Sequence, residues 1–291
     1  MERIIVACTN GKELGEKLVK ELGVATADYE LRNFPDGETY FRIDSDVKGK
    51  EAIIVQGGYP NPNNALMEAL ICVSTSKELG AEKATLVFPY FPYARQDKVF
   101  KEGEAFSLKL AAKLLKDVGT DFIITADAHF KKDYGEYDFF GIPAVNISGG
   151  PLLAQHLKEK FSVEELNIIS PDFGASEMIN TTAKKTNSTP IILSKKRSGD
   201  YEVDINGELD VSGKHVLVLD DIISTGGTMA RAITMAKDAG AEKVYAAATH
   251  GLFVGEAMSK LKVADHIVTT DSVINENSEV SLAGEIAGVL K

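Results

Sequence analysis

Residues 215–232 read HVLVLDDIISTGGTMARA, and this stretch predicts a buried strand, a short loop and then a helix. The run from Val216 to Leu219 is apolar, which is typical of a strand covered on both faces of a parallel sheet. Two adjacent glycines let the loop turn its backbone N–H groups inward, and the helix that begins near Thr228 points its positive end at the same place. Together these features predict a binding site for a terminal phosphate.

Two acidic residues, Asp220 and Asp221, stand at the end of the predicted strand, directly before the phosphate loop. A sugar phosphate held in the loop would bring its vicinal hydroxyls to these carboxylates, which accept hydrogen bonds from them or contact them through a metal ion. The alternative is an ordinary strand-to-helix loop with Thr as the N-cap, which leaves the aspartates unexplained. The loop lacks the Gly-Lys-Ser/Thr ending of the nucleotide-triphosphate P-loop and the three-glycine spacing of dinucleotide sites.

Short apolar runs alternate with helical patterns along most of the chain. Strands are predicted at 3–8, 51–56, 84–89, 122–127, 167–171, 215–221, 243–249 and 266–270, and helices at 11–23, within 62–80 and at 107–119. Apolar runs separated by helices indicate parallel strands that are covered on both faces. The segments 31–43 and 195–207 instead predict hairpin or flap excursions.

The pattern also carries a trace of repetition. KELGAEKATLVFPY (77–90) and KDAGAEKVYAAATH (237–250) share a helix end, Gly-Ala-Glu-Lys and a strand, in the same order. The matching order favours two related α/β halves over a chance match of Gly at a helix end. We therefore predict domains at 1–145 and 146–291, with the last helix of the chain packing back on the N-terminal half.

Composition limits the class of protein. The 291 residues are 44% hydrophobic and 26% charged, and the net charge of −11 argues against general nucleic-acid binding, which needs a basic face. No apolar run reaches the roughly 18 residues of a membrane span, and the N-terminus does not read as a signal peptide. Cys8 and Cys72 are predicted to be reduced core residues. We expect a cytoplasmic protein that binds neither nucleic acid nor membrane.

Several further motifs place polar residues at strand ends and in loops. They are NFPDGE (33–38), PYFPYARQDK (89–98), TADAH (125–129), SPDFGAS (170–176) and SKKR (194–197). In this order and spacing they resemble the ribose-phosphate pyrophosphokinase family, in an archaeal-like form, over about residues 1–270. The loop at 220–228 resembles the ribose-5-phosphate motif of the phosphoribosyltransferase superfamily, although most members have Asp where this chain has Ser224.

The resemblance implies an α/β fold of two phosphoribosyltransferase type I-like domains. Each would have a central, mostly parallel sheet flanked by helices, and pseudo-two-fold symmetry would relate them, with ATP between them. The implied enzyme transfers the pyrophosphoryl group of ATP to the anomeric hydroxyl of ribose 5-phosphate, giving 5-phosphoribosyl 1-pyrophosphate and AMP. Mg²⁺, as one or two ions, would be the cofactor, because it prefers oxygen ligands and phosphates.

The resemblance also implies site residues. The ATP-binding positions are Phe34, Asp36, Gly37, Glu38, Arg95, Gln96, Asp97 and His129. The positions that bind ribose 5-phosphate are Arg197, Asp220, Asp221, Ser224, Thr225, Gly226, Gly227 and Thr228. The metal-associated positions are His129 and Asp172, and the catalytic positions are Lys195 and Arg197, on a flap that stabilises the transition state.

In the family, the hairpin at 34–38 crosses to a neighbouring subunit, where its aromatic residue stacks on adenine and its acids accept from the amino group. A homo-oligomer with a shared active site is therefore expected.

Simpler interpretations stand beside these. Pro35-Asp36-Gly37 is a common turn, 195–197 resembles a solvated charge run, and His129 fits a satisfied residue at a strand end. One functional alternative is a non-catalytic regulatory subunit, which should have lost the cationic flap or the metal residues. Another is a phosphoribosyltransferase, or a transcription factor built on that domain, which the duplicated half and the acidic charge disfavour.

Overall fold

The computed structural model describes residues 1–171, 176–191, 193–195, 201–203 and 209–291, with 193–195 and 201–203 as backbone only. The chain forms two compact units, Met1–Ile147 with Ser281–Lys291 and Ser148–Val280. Each unit is built around a mostly parallel sheet, so the predicted α/β class is confirmed. Within the described residues, no helix is both long and apolar enough to cross a membrane.

The first unit contains one large, mostly parallel sheet and one separate two-stranded hairpin. Its strands are β1 Arg3–Ala7, β2 Ala25–Thr26, β3 Tyr29–Asn33, β4 Thr39–Ile43, β5 Glu51–Val55, β6 Lys83–Val87, β7 Phe122–Ala126, β8 Gly135–Asp138 and β9 Pro143–Ile147. The sheet order is β2-β1-β5-β6-β7-β9-β8, and the pairs are parallel except for β8 with β9. Central strand β5 is buried along its length, and its residues after Glu51 are apolar on both faces.

Helices α1 Lys12–Leu22, α2 Pro62–Glu78 and α3 Ser107–Asp117 connect these strands. Helix α1 buries one stripe, which includes Leu14 and Leu18, and ends at Gly23 in the left-handed conformation that favours glycine. Helix α2 begins at a proline, as helices often do, and buries much of its middle. Cys8 and Cys72 are both free and buried, as predicted.

Strands β3 and β4 form a separate antiparallel hairpin, which confirms the excursion predicted at 31–43. Because side chains alternate across a strand, one face of this hairpin packs Tyr29, Leu31 and Phe41 against the core of the unit. The tip of the hairpin is exposed to solvent.

The second unit repeats this architecture. Its strands are β10 Asn167–Ile169, β11 Thr189–Ile191, β12 Leu193–Lys195, β13 Tyr201–Val203, β14 His215–Ile223, β15 Lys243–Gly251, β16 His266–Thr270 and β17 Ser278–Val280, and its helices are α4 Gly150–Phe161, α5 Ser176–Thr186, α6 Gly227–Asp238 and α7 Ala257–Lys260. The sheet order β11-β10-β14-β15-β16-β17 is parallel throughout. The last helix, α8 Ala283–Leu290, belongs to the first unit, where it packs against α1 and β9.

Two central strands of the second unit, β14 and β15, are each two residues longer than the sequence predicts. Strand β14 continues past Asp221, and Ile222 and Ile223 pair with His250 and Gly251 of β15. Strands β12 and β13 pair antiparallel, as expected for the excursion predicted at 195–207. The residues between these two strands, 196–200, lie outside the described residues.

Candidate active site

The loop between β14 and α6 is shaped by one glycine. Gly226 has φ +71°, a left-handed conformation that strains other residues, and it stands at the N-cap of α6. A Cβ atom at Gly226 would lie 3.2 Å from the carbonyl oxygen of Ala257 and 3.3 Å from Cγ of Leu261. Both the backbone angle and the close packing against α7 therefore require glycine at this position.

The same loop is fastened to its neighbours through its carbonyl groups. The N–H of Leu252 donates to Ile223 O at 2.9 Å, and the N–H of Val254 donates to Ser224 O at 2.9 Å. No side chain caps α6 in the described part of the chain, so the alternative in which Thr serves as the N-cap is wrong. The first turn of a helix leaves N–H groups that an anion can accept from, and the helix dipole adds to this attraction.

Asp220 and Asp221 lie within β14 and are followed by its last two residues, Ile222 and Ile223; both aspartates are half-buried. The N–H of Asp221 donates to Oδ1 of Asp220 at 2.9 Å, which orients that carboxylate. The aspartates, the loop and the start of α6 are thus one continuous strand-loop-helix segment in the second unit. Thr225 and Thr228 are exposed along it, where their hydroxyls can donate to a bound anion.

In the first unit, two predicted nucleotide-binding segments follow neighbouring strands. Arg95, Gln96 and Asp97 come after β6, and His129 comes after β7, which pairs with β6 in parallel. The carboxyl ends of parallel strands meet at the same end of a sheet, so the connections that carry these two segments begin side by side. The side chains of Arg95, Gln96 and His129 are exposed there.

The turn that carries His129 is braced from within the unit. Asp127 is buried with φ +35°, an uncommon conformation for this residue type, and its Oδ1 accepts from the hydroxyl of Tyr134 at 2.7 Å. Buried Asn146 accepts from the N–H of Ala128 at 3.0 Å and donates to the carbonyl of Lys131 at 3.2 Å. Asp127 and Asn146 therefore hold the loop that presents His129.

Gln96 is also held in place. Its Oε1 accepts from the hydroxyl of Ser107, at the start of α3, at 2.6 Å, and its own N–H donates to Tyr93 O at 2.9 Å. The side-chain carbonyl is thus engaged, whereas an amide NH₂ carries two further donors.

The tip of the hairpin contains the remaining predicted nucleotide-binding residues of this unit. The N–H of Phe34 donates to Glu38 O at 2.8 Å, and the N–H of Glu38 donates to Oδ1 of Asp36 at 3.2 Å. Gly37 has φ +95° and closes the turn. The turn predicted by Pro-Asp-Gly is therefore present, and it presents Phe34 at 39% exposure.

Two of the predicted functional residues, Asp172 and Arg197, lie outside the described residues, and Lys195 is described only as the last residue of β12. Two other residues were missed by the sequence analysis. Asn146 braces the His129 loop, and Lys260 donates from Nζ to Thr225 O in the phosphate loop at 3.3 Å. Neither residue belongs to a local motif, because each reaches its contact from a distant part of the chain.

The second unit is a parallel α/β unit in which a strand bearing two acids leads through a Gly-Gly loop into a helix, an arrangement that resembles the phosphoribosyltransferase class. Family models agree with this assignment. Residues 3–119 match the N-terminal domain of ribose phosphate pyrophosphokinase, and residues 140–283 match a phosphoribosyl transferase domain. The chain belongs to the ribose-phosphate pyrophosphokinase family, which confirms the predicted resemblance.

Individual relatives match along their whole length. A ribose-phosphate pyrophosphokinase of Methanobrevibacter smithii is 36% identical, over 99% of this chain and 100% of its own. One from Methanopyrus kandleri is 36% identical, over 98% of this chain and 97% of its own. The crystal structure of phosphoribosylpyrophosphate synthetase from Mycobacterium smegmatis superposes with a TM-score of 0.85 at 31% identity, covering 100% of this chain and 98% of that one.

Proposed function

We propose that this chain transfers the pyrophosphoryl group of ATP to the anomeric hydroxyl of ribose 5-phosphate. The products are 5-phosphoribosyl 1-pyrophosphate and AMP. The observation that carries the proposal is the strand-loop-helix segment at 215–238, found in a chain that matches named ribose-phosphate pyrophosphokinases from end to end.

The second unit binds ribose 5-phosphate in this proposal. The 5-phosphate lies in the loop from Ser224 to Thr228, where backbone N–H groups, two threonine hydroxyls and the helix dipole supply positive potential without a dense cationic patch. This mode of binding suits a chain with a net charge of −11. Asp220 and Asp221 accept from the sugar hydroxyls, directly or through a metal ion.

The first unit supplies the nucleotide-binding residues. Arg95 offers a fork of N–H donors to the triphosphate, Gln96 offers amide donors, and Asp97 orients one of them or meets the adenine. His129 lies on the neighbouring loop, where its exposed ring is accessible to phosphate or to a metal-bound water. Phe34 stacks on the adenine, and Asp36 and Glu38 accept from its amino group, in a homo-oligomer that shares its active site through the hairpin.

Mg²⁺ fits the residues that are present. Among the described residues, no group of three or more His, Cys, Asp and Glu side chains is arranged to hold a metal ion. Mg²⁺ is usually held mainly by substrate phosphates and water, with one or two protein ligands. His129 and Asp172 would be its protein contacts, and the bound ion would neutralise charge on the phosphates.

In the chemical step, the protein positions the two substrates and neutralises the charge on the transferring group. The anomeric oxygen forms a bond to the β-phosphorus of ATP and its hydroxyl proton is released to solvent, while the bond from that phosphorus to the oxygen of the α-phosphate breaks and AMP leaves. Little covalent chemistry falls to protein groups in such transfers. We assign stabilisation of the transferring group to Lys195, the last residue of β12, and to Arg197, which lies outside the described residues.

The regulatory-subunit alternative is not favoured, because the relatives matched over the full chain are named as the enzyme itself. A cytoplasmic location completes the proposal, in keeping with its soluble substrates.

Product analysis tests the proposal directly. Pure protein is incubated with ribose 5-phosphate, ATP and Mg²⁺, and AMP, ADP and the pyrophosphorylated sugar are resolved by chromatography. AMP and 5-phosphoribosyl 1-pyrophosphate should appear in equal amounts. The doubly substituted Asp220→Asn, Asp221→Asn protein, purified in the same way, serves as the control for contaminating kinases and should form neither product. ADP as the nucleotide product would replace the proposal with an ordinary kinase, and binding of ribose 5-phosphate without turnover would replace it with the regulatory subunit.

A further inference from the structure

The hairpin formed by β3 and β4 has a second face that the core does not use. In its antiparallel register, Arg32 lies opposite Tyr40 and Glu30 lies opposite Arg42. These residues alternate with those that pack on the core, so they share the outer face. The outer face therefore carries two rows of charged and aromatic side chains that lead to Phe34 at the tip.

Arg32 contacts both aromatic rings of this face. Its guanidinium carbon lies over the Phe34 ring, 4.8 Å from the centroid, and over the Tyr40 ring, 4.3 Å from the centroid. The two rings meet edge to face with centroids 5.7 Å apart. Oε1 of Glu30 accepts from Nε of Arg32 at 2.7 Å, which fixes the guanidinium in the plane where it meets the rings.

This arrangement is not needed to form the hairpin itself. The tip is closed by backbone hydrogen bonds from Phe34 to Glu38 and from Gly37 to Phe34, and the inner face is anchored in the core. Phe34 remains 39% exposed, so the guanidinium does not bury it. The contacts of Arg32 and Tyr40 are instead with the side chain of Phe34, beside which both lie.

We infer that Arg32 is a positioning residue for the nucleotide base, because it holds the Phe34 ring in the orientation that stacks on the base. The inference rests on the proposed function, in which Phe34 contacts the adenine of ATP. The guanidinium covers part of one ring face, and the base takes the other. Arg32 acts through Phe34 and does not itself contact the base.

The chain lacks tryptophan, which makes a clean optical test available. In the full-length protein, Phe34→Trp places the sole tryptophan at the proposed stacking position, and Mg-ATP should change its fluorescence. A Phe34→Trp protein that forms both products but shows no fluorescence change would leave the proposed reaction standing and overturn the inference.

The fluorescence of the Phe34→Trp protein then compares the effect of substituting Arg32 with the effect of substituting Arg42, a second arginine of the hairpin. Arg42 lies on the same face, pairs with Asp44 at 2.9 Å and lies 3.9 Å from the other oxygen of Glu30. No ring contact involves it in the described residues, so Arg42→Gln is a control that removes a neighbouring cation and leaves the cation over the rings. With the reporter present, Arg32→Gln should raise the dissociation constant of Mg-ATP about 3- to 10-fold, whereas Arg42→Gln should change it less than about twofold. Equal effects of the two substitutions would overturn the inference.

Steady-state kinetics with Phe34 intact supply the second readout. Arg32→Gln should raise KM for ATP about 3- to 10-fold and leave kcat and the KM for ribose 5-phosphate within about twofold. Arg32→Lys keeps a cation but not the planar guanidinium that bonds Glu30, so its KM for ATP should lie between those of the unmodified protein and Arg32→Gln. A fall in kcat with unchanged KM for ATP, or no rescue by lysine, would contradict a positioning role. Urea denaturation of each variant checks that the fold is intact.

Discussion

A single backbone angle decides whether the phosphate loop can form. Gly226 combines a positive φ with close packing against α7, and Gly227 beside it has neither constraint. Two adjacent glycines that look equivalent in the sequence therefore differ in what they contribute. This difference gives a prediction with an internal control.

Replacing Gly226 with alanine should lower the free energy of unfolding by about 1–2 kcal/mol, because a left-handed conformation costs an L-residue about that much. Gly227→Ala should leave the free energy unchanged or raise it by up to about 1 kcal/mol, since its Cβ would meet no described atom within 4 Å and alanine favours a helix. Urea denaturation measures both. Equal losses in the two variants would mean that the angle at Gly226 is not what limits the loop.

At the scale of elements, three strands of the first unit are joined at their beginnings by one carboxylate. Glu51 of β5 is 2% exposed, and its neighbours in register are Arg3 of β1 and Lys83 of β6. The carboxylate meets Nε of Arg3 at 2.8 Å, Nζ of Lys83 at 2.9 Å and the hydroxyl of Thr85 at 2.6 Å. Burial opposes ionisation, but the hydrogen bonds and cations outweigh it and hold the pKa of Glu51 below its ordinary 4.5.

Because the folded-state pKa is lowered, the stabilisation from ionised Glu51 is complete above the ordinary pKa and is lost as the pH falls through the folded pKa. Glu51→Gln should therefore lower the free energy of unfolding at pH 7 by about 1.5–3 kcal/mol, the usual worth of hydrogen bonds to a charged group. Its difference from the unmodified protein should shrink below about pH 4.5. Urea denaturation from pH 7 to pH 3.5 measures this, with exposed Glu82→Gln as the control. A difference that stays constant down to the lowest pH would exclude the charge as its source.

The strands and helices differ in how well the sequence could predict them. Strands β5 and β14 each contain a run of consecutive apolar residues, 52–55 and 216–219, that is fully buried, so the apolar run in the sequence predicts the buried strand. Strand β8 reads GEYD and lies at the edge of its sheet, where no apolar run is required, and it could not be predicted. The Gly-Gly-Pro start of α4 resembles a loop rather than a helix.

The candidate site also contains one part that the sequence could predict and another part that it could not. The phosphate loop is local, because the strand end, the glycines and the helix start are consecutive residues and their chemistry can be predicted from composition and order. Asn146 and Lys260 reach their contacts from other parts of the chain, and the contact of Arg32 with Tyr40 depends on the register that the hairpin turn sets. Such contacts require the fold before they can be found.

At the scale of the whole molecule, the proposal assigns the two substrates to different units. Ribose 5-phosphate would contact the loop and aspartates of the second unit, whereas the predicted ATP-binding residues from Phe34 to His129 belong to the first. The two units share one architecture. The Gly226-Gly227 loop that follows Asp220 and Asp221 belongs to the second unit. The location of each substrate can therefore be tested separately in the intact protein.

Ribose 5-phosphate alone should slow amide hydrogen exchange in the second unit at residues 219–230 and leave the hairpin at 29–43 unchanged. A ligand that binds only the native state stabilises it by about 2.7 kcal/mol at 100 times its Kd, so amides that exchange when the site opens should slow by up to about 100-fold. Exchange measured by mass spectrometry on the full chain resolves the two segments. Ribose without phosphate is the matched control and should give little protection, since the loop recognises the anion rather than the ring. Protection confined to the first unit, or equal protection by ribose, would contradict the assignment of the sugar phosphate to the loop at 224–228.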